Sequence, residues 1–242
     1  ALATVNYDYE GVHYTREYFN SYPDNIMAIR LSADANGKIS FKANLENLIG
    51  GSAYTNTIDG DTITMCDALS GNGLKAEAQL KVINEGGNLS VSENNGTPVL
   101  CVSDADAVTL LFACGTDYKM ELPDFRGEDP HAAVTNRIHA AAQKGYEALK
   151  AAHTADHAAL FSRMELGFNE KIPQIPTDEL IQKYTNMVEN NGGEIPTETE
   201  QRALEVICYQ FGRYLTIAGS REGALPTNLQ GVWGEGAFTW YG

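Results

Sequence analysis

A chain of 242 residues can bury about three quarters of the surface its unfolded form exposes, enough for a sizeable core without disulfide or metal staples. Its 17 Lys and Arg against 32 Asp and Glu give a formal charge of −15, which repels phosphate backbones and anionic lipid and so argues against nucleic-acid and membrane partners. The longest apolar stretch, residues 105–113, is broken by Asp106 and Thr109 and falls far short of the roughly 20 residues that cross a bilayer. No charged and apolar leader precedes the strand-like opening, so Ala1 is expected not to be the natural start, and the compartment stays open. Cys66, Cys101, Cys114 and Cys208 are widely spaced and read as buried free thiols, with a Cys101–Cys114 bridge between neighbouring strands left open.

From residue 3 to about 118 the sequence reads as short strands separated by the turn dipeptides Asn36-Gly37, Asp59-Gly60, Gly86-Gly87 and Asn95-Gly96. These predict an antiparallel β domain. Over residues 74–82, Leu74, Ala76, Ala78, Leu80 and Val82 alternate with Lys75, Glu77, Gln79 and Lys81, which predicts one buried and one wetted face, as in a sandwich layer. Residues 105–113 are more uniformly apolar and predict a strand buried on both sides at the core centre. In the Tyr-rich front segment, Arg16 with Glu17 reads as a cross-strand ion pair rather than a binding groove.

Beyond Leu122-Pro123 the pattern becomes helical. Asp129 is placed to cap a helix whose first position is Pro130, and Val134, Ile138, Ala141, Gly145 and Leu149 follow at helical spacing. A second short helix is expected over residues 154–163, and residues 166–168 read as a brief return to strand. From Thr177 a further helix presents Leu180, Ile181, Tyr184, Met187 and Val188 on one face, with Gly192 placed to end it. Thr197 and Glu200 have the spacing of a capping box, after which Leu204, Ile207, Cys208, Phe211, Leu215 and Ala218 form an apolar stripe. The expected organisation is a β-sandwich domain over 1–122, incomplete at its N-terminus, a helical linker over 123–165, and an all-α region over 166–242.

That last helix runs into Gly212-Arg213-Tyr214-Leu215-x-Ile217, then Ser220-Arg221-x-Gly223-x-Leu225-Pro226-x-Asn228-Leu229-Gln230-Gly231-x-Trp233. The loop spends Asn228, Gln230, Trp233, Glu235 and Trp240 where a plain connector would hold small polar residues. Flat aromatics beside amides and a carboxylate suit a sugar. The stretch resembles glycoside hydrolase family 95, mainly α-L-fucosidases. Gly11-Val12-x-Tyr14-x-Arg16-Glu17-Tyr18-Phe19-x-Ser21-Tyr22-Pro23-Asp24 is similar to a strand pair in that family's N-terminal domain, and the likeness continues through residues 153–163.

The resemblance implies a multidomain β and α architecture: an antiparallel β super-sandwich, a helical linker, and an (α/α)6 toroid of which residues 166–242 hold the first helices. It further implies an inverting exo-glycoside hydrolase acting on α-L-fucosides or α-L-galactosides of oligosaccharides and glycans, with no cofactor. Inversion needs a general acid and a general base about 6.5–9.5 Å apart with a water between them. The resemblance places the acid Glu, the base Asp and two positioning Asn residues beyond Gly242. The remainder of the catalytic domain is therefore an expected partner beside the fucosylated substrate, and this chain alone is expected to be inactive.

The candidate substrate contacts are Asn228, Gln230, Trp233 and Trp240. Each Trp either stacks on an apolar sugar face or plugs the toroid, and each amide either binds hydroxyls or ties down loop backbone. Glu222 and Glu235, the loop carboxylates, are not assigned catalysis, since most of the 32 acidic residues are solvated surface charge. Residues 234–240 depart from the Asn and Pro-Pro-Trp usual in the family, which leaves the preferred L-sugar open. His153 and His157, four apart, would present both imidazoles to one metal ion, but no third ligand stands at a recognisable spacing and packing is the plainer reading. No catalytic or metal-ligating residue is assigned. The competing function is a non-catalytic carbohydrate-binding or structural β-sandwich module.

Overall fold

The computed structural model describes residues 1–46, 54–168, 171, 173–224 and 227. The chain divides into two compact units, Ala1–Asp156 and His157–Gly242. In chain order the described elements are β1 (Ala3–Tyr9), β2 (Val12–Ser21), β3 (Ile26–Ala33), β4 (Ile39–Ala43), β5 (Thr55–Asp59), β6 (Thr62–Ala68), β7 (Lys75–Glu85), β8 (Asn88–Asn94), β9 (Thr97–Ala105) and β10 (Ala107–Thr116). The helices α1 (His131–Lys144), α2 (Tyr146–Phe161), α3 (Thr177–Glu189) and α4 (Glu198–Gly219) follow. Among the described residues the strands form a seven-stranded sheet in the order β1-β2-β3-β10-β7-β6-β5 and a three-stranded sheet in the order β4-β9-β8, with every pairing antiparallel.

Alternation along β10 explains the layering of the first unit. Val108, Leu110 and Phe112 point into the core between the two sheets, with Ile63, Leu80 and Val82 from the large sheet and Leu100, Val102 and Ala105 from the small one. Leu111 and Ala113 point the other way, into a second core with Phe19, Ala28, Val134, Ile138, Ala141 and Leu149. The large sheet is therefore the middle layer, between a small sheet and the first helices, and β10 is its fourth strand. The expected centrality of this segment holds, with one correction: Asp106 is a corner, so residues 105–113 span the end of β9 and the start of β10 in different sheets.

The wetted face expected on β7 is also corrected. Glu77 and Gln79 are only 6% and 3% exposed, because α1 lies across them and supplies partners. Gln79 Nε2 donates to Thr135 Oγ1 at 2.8 Å and to Glu77 Oε1 at 2.7 Å, while His131 Nδ1 stands 3.0 Å from both Glu77 carboxylate oxygens. Burial without these hydrogen bonds would be costly, so the polar face is satisfied rather than solvated.

Two turn dipeptides make the hairpins they announce, Asp59-Gly60 between β5 and β6 and Asn95-Gly96 between β8 and β9. Asn36-Gly37 and Gly86-Gly87 do not; they carry the chain from the large sheet to the small one. Residues 11–24, expected as a strand pair, are one strand, β2, with the turns on either side of it. All four cysteines are free, and Cys66, Cys114 and Cys208 are exposed rather than buried. Cys101 and Cys114 lie on strands of different sheets, so they do not bridge neighbouring strands.

Arg16 and Glu17 do not pair, since consecutive strand residues face opposite sides of the sheet. Arg16 Nη2 donates to Tyr7 Oη at 2.8 Å, and Glu17 instead anchors α2, accepting from Lys150 Nζ at 2.7 Å and Tyr146 Oη at 2.8 Å. The Lys150 hydrogen bond, opposed by partial burial and aided by Tyr146, holds the Glu17 carboxyl below its ordinary value. Burial and then the Glu17 hydrogen bond push the Tyr146 phenol up. A carboxyl lowered on folding contributes stability that is complete above its unfolded value of about 4.3 and is lost as pH falls through the folded value. Glu17→Gln is therefore expected to lower Tm at neutral pH, with the gap to the parent narrowing as acid is added through that window. A gap constant with pH would show that charge does not carry the contact.

The helical boundaries differ from the sequence expectation. Asp129 Oδ1 accepts from His131 N–H at 3.1 Å, but the N-cap is Pro130, one residue later than expected, and α1 stops at Lys144, because Gly145 takes φ +77 and Leu149 belongs to α2. Thus α2 begins eight residues before the expected Thr154. Residues 166–168 form no strand.

Candidate functional site

In the second unit, α4 opens with the capping box its sequence announces: Thr197 Oγ1 accepts from Glu200 N–H at 3.3 Å and Glu200 Oε2 from Thr197 N–H at 2.7 Å. Lys183 of α3 reaches Glu200 at 3.2 Å and Glu194 at 2.7 Å, fixing α3 beside the front of α4. Leu180 of α3 and Ala203 and Leu204 of α4 are buried. The rest of the expected stripe is not: Ile207, Cys208, Phe211 and Ala218 are exposed, Phe211 by 57%. The α3 surface expected to be apolar and buried is likewise open at Ile181 and Val188, and α3 ends at Glu189 through left-handed Asn190, two residues ahead of Gly192.

The motif residues at the far end of α4 have structural work. Arg213 Nη2 donates to the Phe161 carbonyl oxygen at 2.5 Å and Nη1 to Gln210 Oε1 at 2.7 Å, with the guanidinium 4.4 Å from the centre of the Phe161 ring. A cation on a helix C-terminal carbonyl satisfies an orphan acceptor and complements the helix dipole. His157 stacks on Phe161 at 5.3 Å and meets Tyr214 at 6.0 Å. In the first unit, His153 Nε2 stands 2.8 Å from the Ala1 carbonyl oxygen and its ring lies 5.0 Å from that of Phe19. The two imidazoles are thus engaged in separate packing arrangements. Among the described residues no group of three or more His, Cys, Asp and Glu is placed to hold a metal ion, and no helix is long and apolar enough to cross a membrane.

Beyond α4 the chain turns through Gly223 at φ +82, with Ala224 N–H donating to the Arg221 carbonyl oxygen at 3.0 Å, and leaves Glu222 exposed. Asn228, Gln230, Trp233, Glu235 and Trp240 lie outside the described residues.

A cleft of about 470 Å³ that the sequence reading missed lies past the end of β10, lined by Asn72, Leu74, Tyr118, Asp124, Phe125 and Arg126. Of these, Arg126 is ion-paired with buried Asp117, its Nε donating to Asp117 Oδ2 at 3.0 Å. Arg126 also donates to the carbonyl oxygens of Asn72 at 3.1 Å and Gly73 at 2.8 Å, and Lys75 N–H donates to Asp117 Oδ1 at 2.9 Å. Burial by itself would raise the Asp117 carboxyl, but Arg126 and the Lys75 N–H together pull it below the ordinary value. The Tyr118 and Phe125 rings lie nearly parallel, 3° apart in plane with centres 6.4 Å apart.

A β-sandwich of antiparallel sheets, followed by paired amphipathic helices, is thus joined to a loop of aromatic and amide residues. Residues 1–121 match the family profile described as "Glycosyl hydrolase family 65, N-terminal domain", and residues 145–241 match "Glycosyl hydrolase family 95 catalytic domain". Together these matches and the relatives below support a family-95-like N-terminal portion. The chain is 30% identical over 230 residues to "Probable alpha-fucosidase A" of Aspergillus niger, covering 91% of this chain and 27% of that protein. With "Alpha-L-fucosidase 2" of Arabidopsis thaliana it shares 28% over 259 residues, 96% of this chain and 29% of that protein. The chain therefore spans less than a third of the length of these relatives. Among solved structures, "Putative kojibiose phosphorylase from human microbiome" superposes with a TM-score of 0.43 at 8% identity, over 66% of this chain and 23% of that one.

Proposed function

We propose that this chain is the front of an inverting exo-glycoside hydrolase that releases α-L-fucose or α-L-galactose from oligosaccharides and glycans. The observation that carries the reading is the family 95 catalytic-domain match over residues 145–241, which takes in α4 and the whole loop of amides and aromatics. The relatives named as fucosidases supply the substrate class. In this reading 1–122 is the β-sandwich domain, 123–165 the linker, and 166–242 the start of an (α/α)6 toroid. The exposed apolar face of α4, at Ile207 and Phe211, supports that last assignment, because a toroid helix buries such a face against its neighbours. Asn228, Gln230, Trp233 and Trp240 line the sugar pocket, while the general acid and base come from sequence past Gly242. Acid–base hydrolysis through two carboxyl groups and a water needs no cofactor.

The test is hydrolysis of 4-nitrophenyl α-L-fucoside and 2'-fucosyllactose by this chain and by the same chain embedded in a protein of its relatives' length. The long form is expected to release the sugar with inverted anomeric configuration, and the short form to release none. Activity in neither would overturn the reading. In the long form, Trp233→Ala is expected to lower kcat/KM by about tenfold or more with little change in Tm, since removing a stacked aromatic forfeits on the order of 1.4 kcal/mol or more of substrate binding. A fall in Tm with kcat/KM intact would make Trp233 a plug instead.

A further inference from the structure

We infer that the cleft at the end of β10 is a second sugar-binding subsite, carried by the β-rich unit, and that its ligand is a neutral oligosaccharide. A pyranose has apolar C–H faces and hydroxyl-bearing edges, so it calls for a flat aromatic surface flanked by polar groups that are not already engaged. The near-parallel Tyr118 and Phe125 rings supply the surface, and both stand exposed, at 51% and 40%, although aromatic rings gain much from burial. Asn72 spends Oδ1 on the Leu74 N–H at 3.0 Å, which leaves its Nδ2 without a partner among the described residues. The Asp124 carboxylate and the Tyr118 hydroxyl, in the same cleft, have no partner among the described residues either. One donor, one acceptor and one group that is both thus flank the rings.

The platform is built before any ligand arrives. Phe125 is held in a left-handed conformation at φ +55, its N–H donating to the Glu121 carbonyl oxygen at 2.9 Å and its own carbonyl accepting from Lys119 N–H at 3.1 Å. Arg126, bridged to Tyr118 through the backbone, is locked by Asp117 and two carbonyl groups. Little ordering cost is left for binding. The same geometry sets the charge of the ligand. The cation in the cleft is committed to Asp117, Asp124 is left over, and the chain carries −15 overall, so phosphorylated, sulfated or carboxylated sugars are repelled. A volume of about 470 Å³ falls within the roughly 300–1,000 Å³ of small-molecule sites.

This assignment goes beyond the hydrolase reading and survives its failure, because it uses binding alone. The experiment is an amide NMR titration of this chain with 2'-fucosyllactose, lactose and maltotriose at millimolar concentrations, with glucose 6-phosphate as the anionic comparison. Saturable shifts centred on Asn72, Tyr118 and Phe125 are expected with at least one neutral sugar. Phe125→Ala is expected to weaken binding by about tenfold, and Tyr118→Phe, which keeps the ring and the fold, by about threefold. Absence of shifts at those residues with every neutral sugar, shifts confined to residues 228–242, or binding unchanged in both variants would overturn the site. Equal or tighter binding of the phosphate ester would overturn its assignment to neutral ligands.

Discussion

Leu111→Ala is expected to destabilise the unit Ala1–Asp156 by about 2–5 kcal/mol and to lower its melting temperature by on the order of 10 °C. Leu111 is 1% exposed in the fourth of seven strands, and its side chain fills the core that joins the large sheet to Val134, Ile138 and Ala141 of α1 and Leu149 of α2. Removing it takes away transfer free energy and leaves a void whose walls are held on one side by a continuous sheet, where relaxation is poor. Val91→Ala, on the exposed side of a strand in the small sheet, serves as the comparison and is expected to stay within about 0.5 kcal/mol. Urea unfolding of the two variants decides the matter. A loss under about 1 kcal/mol for Leu111→Ala would mean that α1 does not close over that face of the sheet.

Leu111 also shows what kind of information the sequence carried. A run that is apolar at both parities announces burial on both faces, and the structure places β10 there, but the run cannot say that one cover is a sheet and the other a helix. The alternation in β7 failed for the same reason. Glu77 and Gln79 read as solvent-facing because they are polar, whereas Thr135 and His131, more than fifty residues away in sequence, supply the partners that make their burial tolerable. Turn dipeptides report a local need for positive φ, which Gly37 at +68 and Gly60 at +55 both satisfy. They do not report whether the next strand pairs with the last one or crosses to the other sheet. At Gly145 no break was legible, because Ile138, Ala141 and Leu149 face one core cluster across the turn and the helical rhythm survives it.

Capping chemistry was legible because it is local: Thr197 and Glu200 find each other within one turn. The apolar stripe of α4 was legible as a pattern, but its burial was not, since a covered face depends on what is packed beyond α3. The two candidate sugar sites divide along the same line. Residues 228–240 were singled out because aromatics and amides crowd a single loop, and they lie outside the described residues. The cleft of Tyr118 and Phe125 was missed because Asn72 and Leu74 come from the turn before β7, brought there by the Arg126 hydrogen bonds to the carbonyl groups of Asn72 and Gly73.

Gly87→Ala should damage the fold about as much as the core truncation, although no buried apolar group changes. Gly87 sits at φ +62 where the chain leaves β7 of the large sheet for β8 of the small one, and a Cβ there would overlap the Ser103 carbonyl oxygen and the backbone of Asp104 and Ala105. Those atoms belong to the corner by which β9 hands the chain back to β10, and Asp106 in that corner accepts from the Gly37 N–H at 2.8 Å, at the crossing from β3 to β4. Backbone cannot move aside as a flexible side chain does. The left-handed conformation costs an alanine about 1–2 kcal/mol, and the forced displacement adds about 1–3 kcal/mol. Gly60→Ala separates the two contributions, since Gly60 has φ +55 in the β5–β6 hairpin with nothing within 4 Å of a built Cβ. It is expected to show the conformational cost alone. If both alanine variants lose the same stability, the close approach at Ser103 is not what holds the two sheets at this corner.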